Sequence, residues 1–296
     1  MAASAMLPGM SARSSAKPHI AMVGAGNVAS ALAVSLHAAG YVIEQIISRA
    51  GAVSLRRARR LAREVGAPTV AAERAKIRAE LVWFCVPDGA IAAAAKSLAE
   101  AADWSGKVAL HSSGALTSDE LAALRKRGAA VASVHPLMTF VRRSRPALDG
   151  VPFAIEGDAI AVRTARTIVR NLRGQPFTIY KEHKEVYHAW GTFASPLLTA
   201  LLAASERVAV AAGVNRKAAR ERMLPILRQT LANYARLGAA ESFSGPVPRG
   251  DVATVKKHLK VLSKIPQTRG VYIALTRAAM RDLPARNRAA LEKILK

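Results

Sequence analysis

The stretches of this 296-residue sequence able to do chemistry follow apolar runs or open helical patterns. "VALHSSGAL" sets His111, Ser112, Ser113 and Gly114 behind one run, and "VASVHPLMTF" sets His135 and Pro136 behind another. "EHKEVYHAWGTFASPLL" places Lys184, His188 and Ser195 on one stripe of a helix, with Tyr187 beside it. Imidazole titrates near neutral pH and suits proton donation to a developing alkoxide. His135 or His188 is therefore the candidate acid, with Lys184 as the other choice and Ser112 orienting substrate. His111, Ser113 and Ser195 are candidate substrate contacts. In "SGPVPRGD", Arg249 precedes a helix start and could hold a carboxylate; the same loop reads equally well as a capped turn with a solvent-facing arginine. Together these groups predict action on a small, anionic carbonyl, imine or alcohol.

A second constellation concerns a coenzyme. "GAGNVASALA" follows "HIAMV", so Gly24 and Gly26 fall between a buried strand and a helix of small residues. Gly24 permits the tight turn, Gly26 lets the backbone approach a pyrophosphate, and Ala29 lets the helix lie close to a sheet. The helix start at Asn27 and Val28 then offers free N–H groups to phosphate. At the end of the next strand "IISRA" has Ser48 and Arg49 where an NAD site has an acid. These side chains suit a 2′-phosphate, with Arg56 or Arg57 in reserve, so NADP is the predicted cofactor. "FCVPDGAI" ends another strand, and Val86, Pro87 and Asp88 are expected to border the cofactor, with Asp88 as a helix N-cap.

The elements that must position these groups alternate. Strands are expected near 19–23, 42–47, 68–70, 81–86, 107–111, 130–134, 151–155 and 176–180. Helices fill 27–39, 53–65, 88–100, 117–127 and 159–173, with Gly40, Gly66, Gly128 and Gly174 at C-terminal caps. That pattern predicts an α/β fold built on a doubly wound parallel sheet. After Tyr180 only helical patterns remain, over 182–212, 216–237, 252–262, 267–281 and 285–295. Asn215 and Asp251 are expected N-caps, Gly213 and Gly238 stops, and Pro196 a kink. The expected organisation is an extension at 1–18, a Rossmann NADP-binding domain at 19–180 and an all-helical domain at 181–296.

Half the residues are apolar, as in a globular protein, and the stretch Leu197–Ala204 is too short to span a bilayer, so no membrane is expected. The single cysteine, Cys85, excludes an intrachain disulfide, fits a reducing cytoplasm and reads as a core thiol. No metal site is expected. The formal charge of +24 would attract nucleic acid, but the bases are dispersed along helices without interleaved aromatics, which argues for solvated faces instead. Residues 1–18 read as an organellar transit peptide, a disordered extension or a consequence of an upstream start codon.

The motifs "GAGNVASALA", "FCVPDGAI", "HSSGAL", "SVHPLMTF", "HKEVYHAWGTFAS" and "FSGPVPRGDVATVKKHL" together resemble Rossmann-like proteins that carry a DUF2520 helical domain, NADP oxidoreductases of the 6-phosphogluconate dehydrogenase-like group. His135-Pro136 is similar to the His-Pro element of prephenate dehydrogenases, whose histidine contacts the reacting hydroxyl. Pyrroline-5-carboxylate reductase and ketopantoate reductase share the plan. The resemblance implies a homodimer formed through the helical domain and an active site between the domains. A 2-oxo acid such as ketopantoate is the first substrate to test. Where relatives commonly read Ser-Asn, this chain has Ser195-Pro196, which keeps a non-catalytic NADP-binding sensor or scaffold open as an alternative. A nucleic-acid-binding protein is the third reading.

Overall fold

The computed structural model describes residues 17–142 and 144–296. The extension expected at 1–18 therefore lies almost wholly outside the described residues. By internal contacts the chain divides into two compact units, one ending at Gly191 and the other running from Thr192 to Lys296.

The first unit is built on an eight-stranded sheet in the order β3-β2-β1-β4-β5-β6-β7-β8. Its strands are β1 Ile20–Val23, β2 Ile43–Ser48, β3 Thr69–Ala71, β4 Leu81–Phe84, β5 Val108–His111, β6 Ala130–Pro136, β7 Pro152–Gly157 and β8 Gln175–Thr178. β1, β4 and β5 are buried end to end, as strands covered on both faces must be. One face packs on α1 Asn27–Ala38, α2 Ala52–Glu64 and α5 Ala159–Asn171, the other on α3 Ile91–Leu98 and the short α4 Ala122–Arg125. The chain leaves β1 for β2 on one side and returns from β3 to β4 on the other. This makes the β1/β4 edge the switch point, where open sheets bind ligands beyond the strands' carboxyl ends.

One pair departs from the parallel expectation: β6 and β7 run antiparallel, because residues 137–151 join them without a crossover helix. The helix expected over 117–127 is reduced to a 3₁₀ turn Ser118–Leu121 and α4. Gly40, Gly66 and Gly128 have the positive φ of helix stops. Gly174 does not: Arg173 takes that conformation (φ 58°), and Gly174 is required for closeness, since a Cβ there would come 2.9 Å from the Phe153 ring. The unit ends within the last turn of α6, Lys184–Thr192.

In the second unit α9 Val252–Leu262, α10 Thr268–Asp282 and α11 Arg288–Ile294 close a small core of Val255, Leu259, Ile273, Met280, Leu291 and Leu295. Asn215 caps α8 (Arg216–Ser242) through Ala218 N–H, and Asp251 caps α9 through Thr254 N–H. Gly238 breaks α8 (φ 77°), with one more turn after it. Pro196 lies in a π-helical turn, Phe193–Leu197, that precedes α7 (Leu198–Ala211). A wider turn is one way a helix absorbs the hydrogen bond that proline cannot make. α7 and α8 bury almost nothing: Val210, Ile226, Leu231 and Tyr234 are exposed. The expectation that no segment could span a bilayer needs correction. Uncharged residues run from Val186 to Ser205, and the helical stretch Lys181–Ala211 is long and apolar enough by length and composition alone.

Candidate active site

The glycine loop is shaped by a close approach. Gly24 has φ +104°, and a Cβ on it would lie 2.4 Å from the Cys85 carbonyl oxygen, so only glycine lets β1 turn past the end of β4. Around Gly26, by contrast, a Cβ would meet nothing within 4 Å. The α1 N-terminus thus opens onto space, and no side chain caps it. Beside it runs a groove of about 420 Å³, within the size range of ligand pockets. Its far end holds Ser48, Arg49, Ser54 and Arg57; Val86 and Pro87 form a wall. Arg49 Nε donates to Ser54 Oγ (3.3 Å), which holds the guanidinium at the β2 end. The Ser48 hydroxyl is buried and lacks a hydrogen-bond partner. Cys85 also borders the groove, but burial pushes its thiol up to about 12, in keeping with an unreactive core residue.

At the ends of β5 and β6 the first unit gathers a polar cluster. Ser113 N–H donates to His111 Nδ1 (3.1 Å), so His111 Nε2 carries the proton and donates to the Thr117 carbonyl (2.9 Å). The ring is fully buried, which lowers its pKa to about 4. Ser112 Oγ accepts from Trp83 Nε1 (2.8 Å), and Ser113 Oγ donates to Asp88 Oδ2 (2.8 Å). His135 lies half-buried, its Nδ1 2.8 Å from the Tyr187 hydroxyl, with the His188 ring centroid at 6.2 Å. Burial first, then the Lys184 charge, hold His135 down to about 3, so it is neutral at physiological pH. Both rings converge on Gly114: a Cβ there would sit 2.8 Å from His135 Nε2 and 2.6 Å from His188 Cδ2.

Two sequence profiles match. Residues 8–136 match a Rossmann-like domain, and residues 151–279 match a domain of unknown function, DUF2520. The chain carries a Rossmann-like domain followed by a DUF2520 domain. The DUF2520 match begins at residue 151, so β7, α5 and β8 fall within it. No curated protein matches the chain. Among solved structures, it is similar to protein TM1727 from Thermotoga maritima, at 26% identity and TM-score 0.68 over 94% of this chain and 100% of that one. A Bacteroides fragilis protein described provisionally as an NADP oxidoreductase aligns at 22% identity and TM-score 0.75, covering 88% of this chain and 97% of that one. The Aspergillus terreus reductive aminase, solved with NADPH and ethyl-5-oxohexanoate, aligns at 14% identity and TM-score 0.64 over 94% and 99% of the two chains.

Several candidate residues take places the sequence did not foretell. In the Rossmann-like domain Asp88 is not an N-cap: Pro87 holds that position, and the Asp88 carboxylate reaches across to Ser113. Asn27 sits at the loop, but its side chain donates to the Phe140 carbonyl (3.1 Å), and Val28 turns against the core. His111, expected to meet substrate, has both ring nitrogens committed to the turn after β5. In the DUF2520 domain, Lys184 does not present its amine to a cleft. It is 1% exposed and donates to the Ser113 carbonyl (2.9 Å) and Ser133 Oγ (2.7 Å), with its pKa lowered to about 8 by burial. Such a group positions the β5 and β6 ends and acts on His135 through its charge. The stripe expected to unite Lys184, His188 and Ser195 is thus divided: Lys184 points inward, His188 is exposed, and Ser195 belongs to the π-turn of the second unit. Arg249 is exposed one turn ahead of α9.

Sequence reading named Tyr187 without giving it a role and missed Glu156. Tyr187 is the partner of His135 Nδ1, and Glu156, the last residue but one of β7, accepts from Ser118 N–H and Oγ while its charge supports Lys184. The one available signal for Glu156 was its place directly after the apolar run 151–155.

Proposed function

We propose that the chain is an NADP-dependent oxidoreductase acting on a small carbonyl, imine or hydroxy compound. The observation that carries this reading is the pairing, within one unit, of an open α1 N-terminus and arginine-ended groove with imidazoles converging on Gly114 at neighbouring strand ends. Gly24, Gly26 and the α1 N–H groups would hold the pyrophosphate, and Arg49, Ser54 and Arg57 the 2′-phosphate. Similarity to a provisional NADP oxidoreductase and to an NADPH-bound reductive aminase supports the choice of coenzyme. When bound, it would supply or accept hydride.

The chain's own residues would orient and protonate. With Tyr187 O–H donating to Nδ1, His135 keeps its hydrogen on Nε2 and offers it to a substrate oxygen or nitrogen as a neutral donor. His188, exposed beside it, would bring a proton in from solvent to replace the one given up at His135 Nε2, and Ser112, through its remaining hydroxyl capacity, would orient substrate. Arg249 and Ser195 remain the residues assigned to an anionic substrate, of which a 2-oxo acid such as ketopantoate is the first to test. We further infer a homodimer in the cytoplasm, in which a second copy covers the exposed apolar residues of α7 and α8, and we read Lys181–Ala211 as part of that interface in place of a membrane span.

The test is a thermal-shift and binding comparison of NADPH and NADH on wild type and Arg49→Glu. Glu73 is the acid among the residues lining the groove, so the NADH arm is a fair competitor. The expected result is a preference for NADPH that Arg49→Glu reduces at least tenfold. No binding of either coenzyme would overturn the reading, and binding without turnover on oxo acids, imines or hydroxy acids would replace it with a coenzyme sensor.

A further inference from the structure

Directly after β5, the Ser112 hydroxyl is reached by side chains of β4 and of the residue that follows it. Ser112 N–H donates to the Phe84 carbonyl (3.2 Å), which fixes the residue against the β4 end. Trp83 Nε1 donates to Ser112 Oγ at 2.8 Å, and Cys85 Sγ stands 3.7 Å from the same oxygen. Trp83 is fully buried, whereas Ser112 is half-buried and Cys85 lines the coenzyme groove. The hydroxyl therefore joins the core to the open site.

An indole nitrogen can only donate, so no tautomer or rotation reverses the Trp83 bond. A serine hydroxyl has one hydrogen and two lone pairs, and Trp83 holds one of those lone pairs permanently. The bond also polarises the hydroxyl: an oxygen that accepts becomes a stronger donor and a poorer acceptor. The thiol competes weakly for what remains, because sulfur is a poor partner in either role. When the hydroxyl hydrogen turns to a ligand, the S–H can take the lone pair that is left. Burial keeps that thiol protonated, its pKa pushed up to about 12, so the arrangement holds across the neutral range. Ser112 thus meets the site as a hydrogen-bond donor.

We propose that Trp83 is a positioning residue that sets the Ser112 hydroxyl as a donor, and that the substrate group it meets is a carbonyl or carboxylate oxygen, which favours an oxo/hydroxy pair over an imine/amine pair. An iminium, or the ammonium product of imine reduction, offers hydrogens only and leaves Ser112 without an acceptor. A carbonyl, a carboxylate and the alcohol formed on reduction all keep lone pairs for the same hydrogen. The inference rests on the oxidoreductase reading and narrows its substrate class.

The experiment is a double-mutant cycle on the full chain: Trp83→Phe removes the indole N–H, Ser112→Ala the hydroxyl, and the double variant both. Turnover with NADPH is followed on a panel of 2-oxo acids and cyclic imines. The 2-oxo acids are expected to react, each single variant to lower kcat/KM about tenfold through loss of one oriented hydrogen bond, and the double variant to be no worse than Ser112→Ala, because Trp83 acts through that hydroxyl alone. Losses that multiply would mark Trp83 as a packing residue and overturn the proposal, as would imines turned over faster than every oxo acid. A second readout needs neither turnover nor the Trp83 variant. The chain has three tryptophans, so their indole N–H signals are easily followed by NMR. Pyruvate, whose oxygens only accept, is expected to move the Trp83 signal downfield in wild type and to leave it unmoved in Ser112→Ala; propylammonium, which only donates, moves it in neither. A Trp83 signal that ignores pyruvate or responds to propylammonium overturns the proposal. Failure of NADPH to bind strikes the coenzyme reading instead, and the indole titration still decides this inference.

Discussion

Replacing Lys184 with methionine tests the claim that a buried ammonium organises the strand ends. The fall of its pKa from 10.5 to about 8 on folding corresponds to about 3 kcal/mol of differential stability. The sign follows from proton counting. Below pH 8 the amine is charged in both states, and the burial cost is fully present. Between pH 8 and 10.5 the unfolded chain holds the proton that the folded chain has lost, so stability rises with pH by about 3 kcal/mol across that window. Lys184→Met removes this rise. At pH 7 its own effect is small, within about 2 kcal/mol, because two hydrogen bonds are lost while the desolvation cost vanishes. Neither oxygen is orphaned, since Ser133 Oγ still donates to the Ser113 carbonyl at 3.1 Å. Urea unfolding of both proteins at pH 7 and pH 10.5 gives the double difference, in which the other titrating groups cancel. A wild-type advantage that stays constant within about 1 kcal/mol between the two pH values refutes the argument. As a second readout, losing the Lys184 charge raises the His135 pKa from about 3, visible as an upward move of its imidazole titration; Lys184→Arg, which keeps the charge, leaves it low.

Gly114→Ala drives a methyl group into His135 and His188, at separations of 2.8 and 2.6 Å, so turnover on any identified substrate is expected to fall at least a hundredfold while NADPH affinity stays within about twofold of wild type; steady-state kinetics beside coenzyme titration check it. Tyr187→Phe removes the hydroxyl at His135 Nδ1 and is expected to lower kcat about tenfold with little change in KM, the cost of one lost hydrogen bond to an orienting group. An unchanged kcat would show that the Tyr187 hydroxyl has no part in setting the tautomer.

The sheet was legible because its information is local. β1, β4 and β5 are short apolar runs closed by a turn, and burial on both faces requires just such runs. What escaped depends on the path of a connection and on a distant partner. The antiparallel β6–β7 pair depends on how residues 137–151 cross the sheet end, and these residues have no periodicity to read. The helix over 117–127 was overcounted because Ser118 spends its N–H and hydroxyl on Glu156, a partner 38 residues away, which holds the turn in 3₁₀ form.

The site was legible by residue type and opaque by direction. Strand ends announced His111 and His135 equally, yet one ring is locked into its own turn while the other faces Gly114. The difference lies in which neighbours partner Nδ1: Ser113 N–H at the first, the Tyr187 hydroxyl, distant in sequence, at the second. Lys184 and His188, one helical turn apart, diverge for a similar reason. α6 meets the ends of β5 and β6 through Lys184 and Tyr187, and the amine finds oxygens of Ser113 and Ser133 that it satisfies. A buried lysine with two good acceptors is held more firmly than one facing water, because a buried charge left unpaired is far costlier than an exposed one. The same contact that withdraws Lys184 from proton transfer sets the electrostatic condition for it: a positive charge behind His135 keeps that imidazole neutral. The pH dependence of a reaction using His135 should therefore change more on removal of this charge than on mutation of any exposed arginine of α2, whose field water screens.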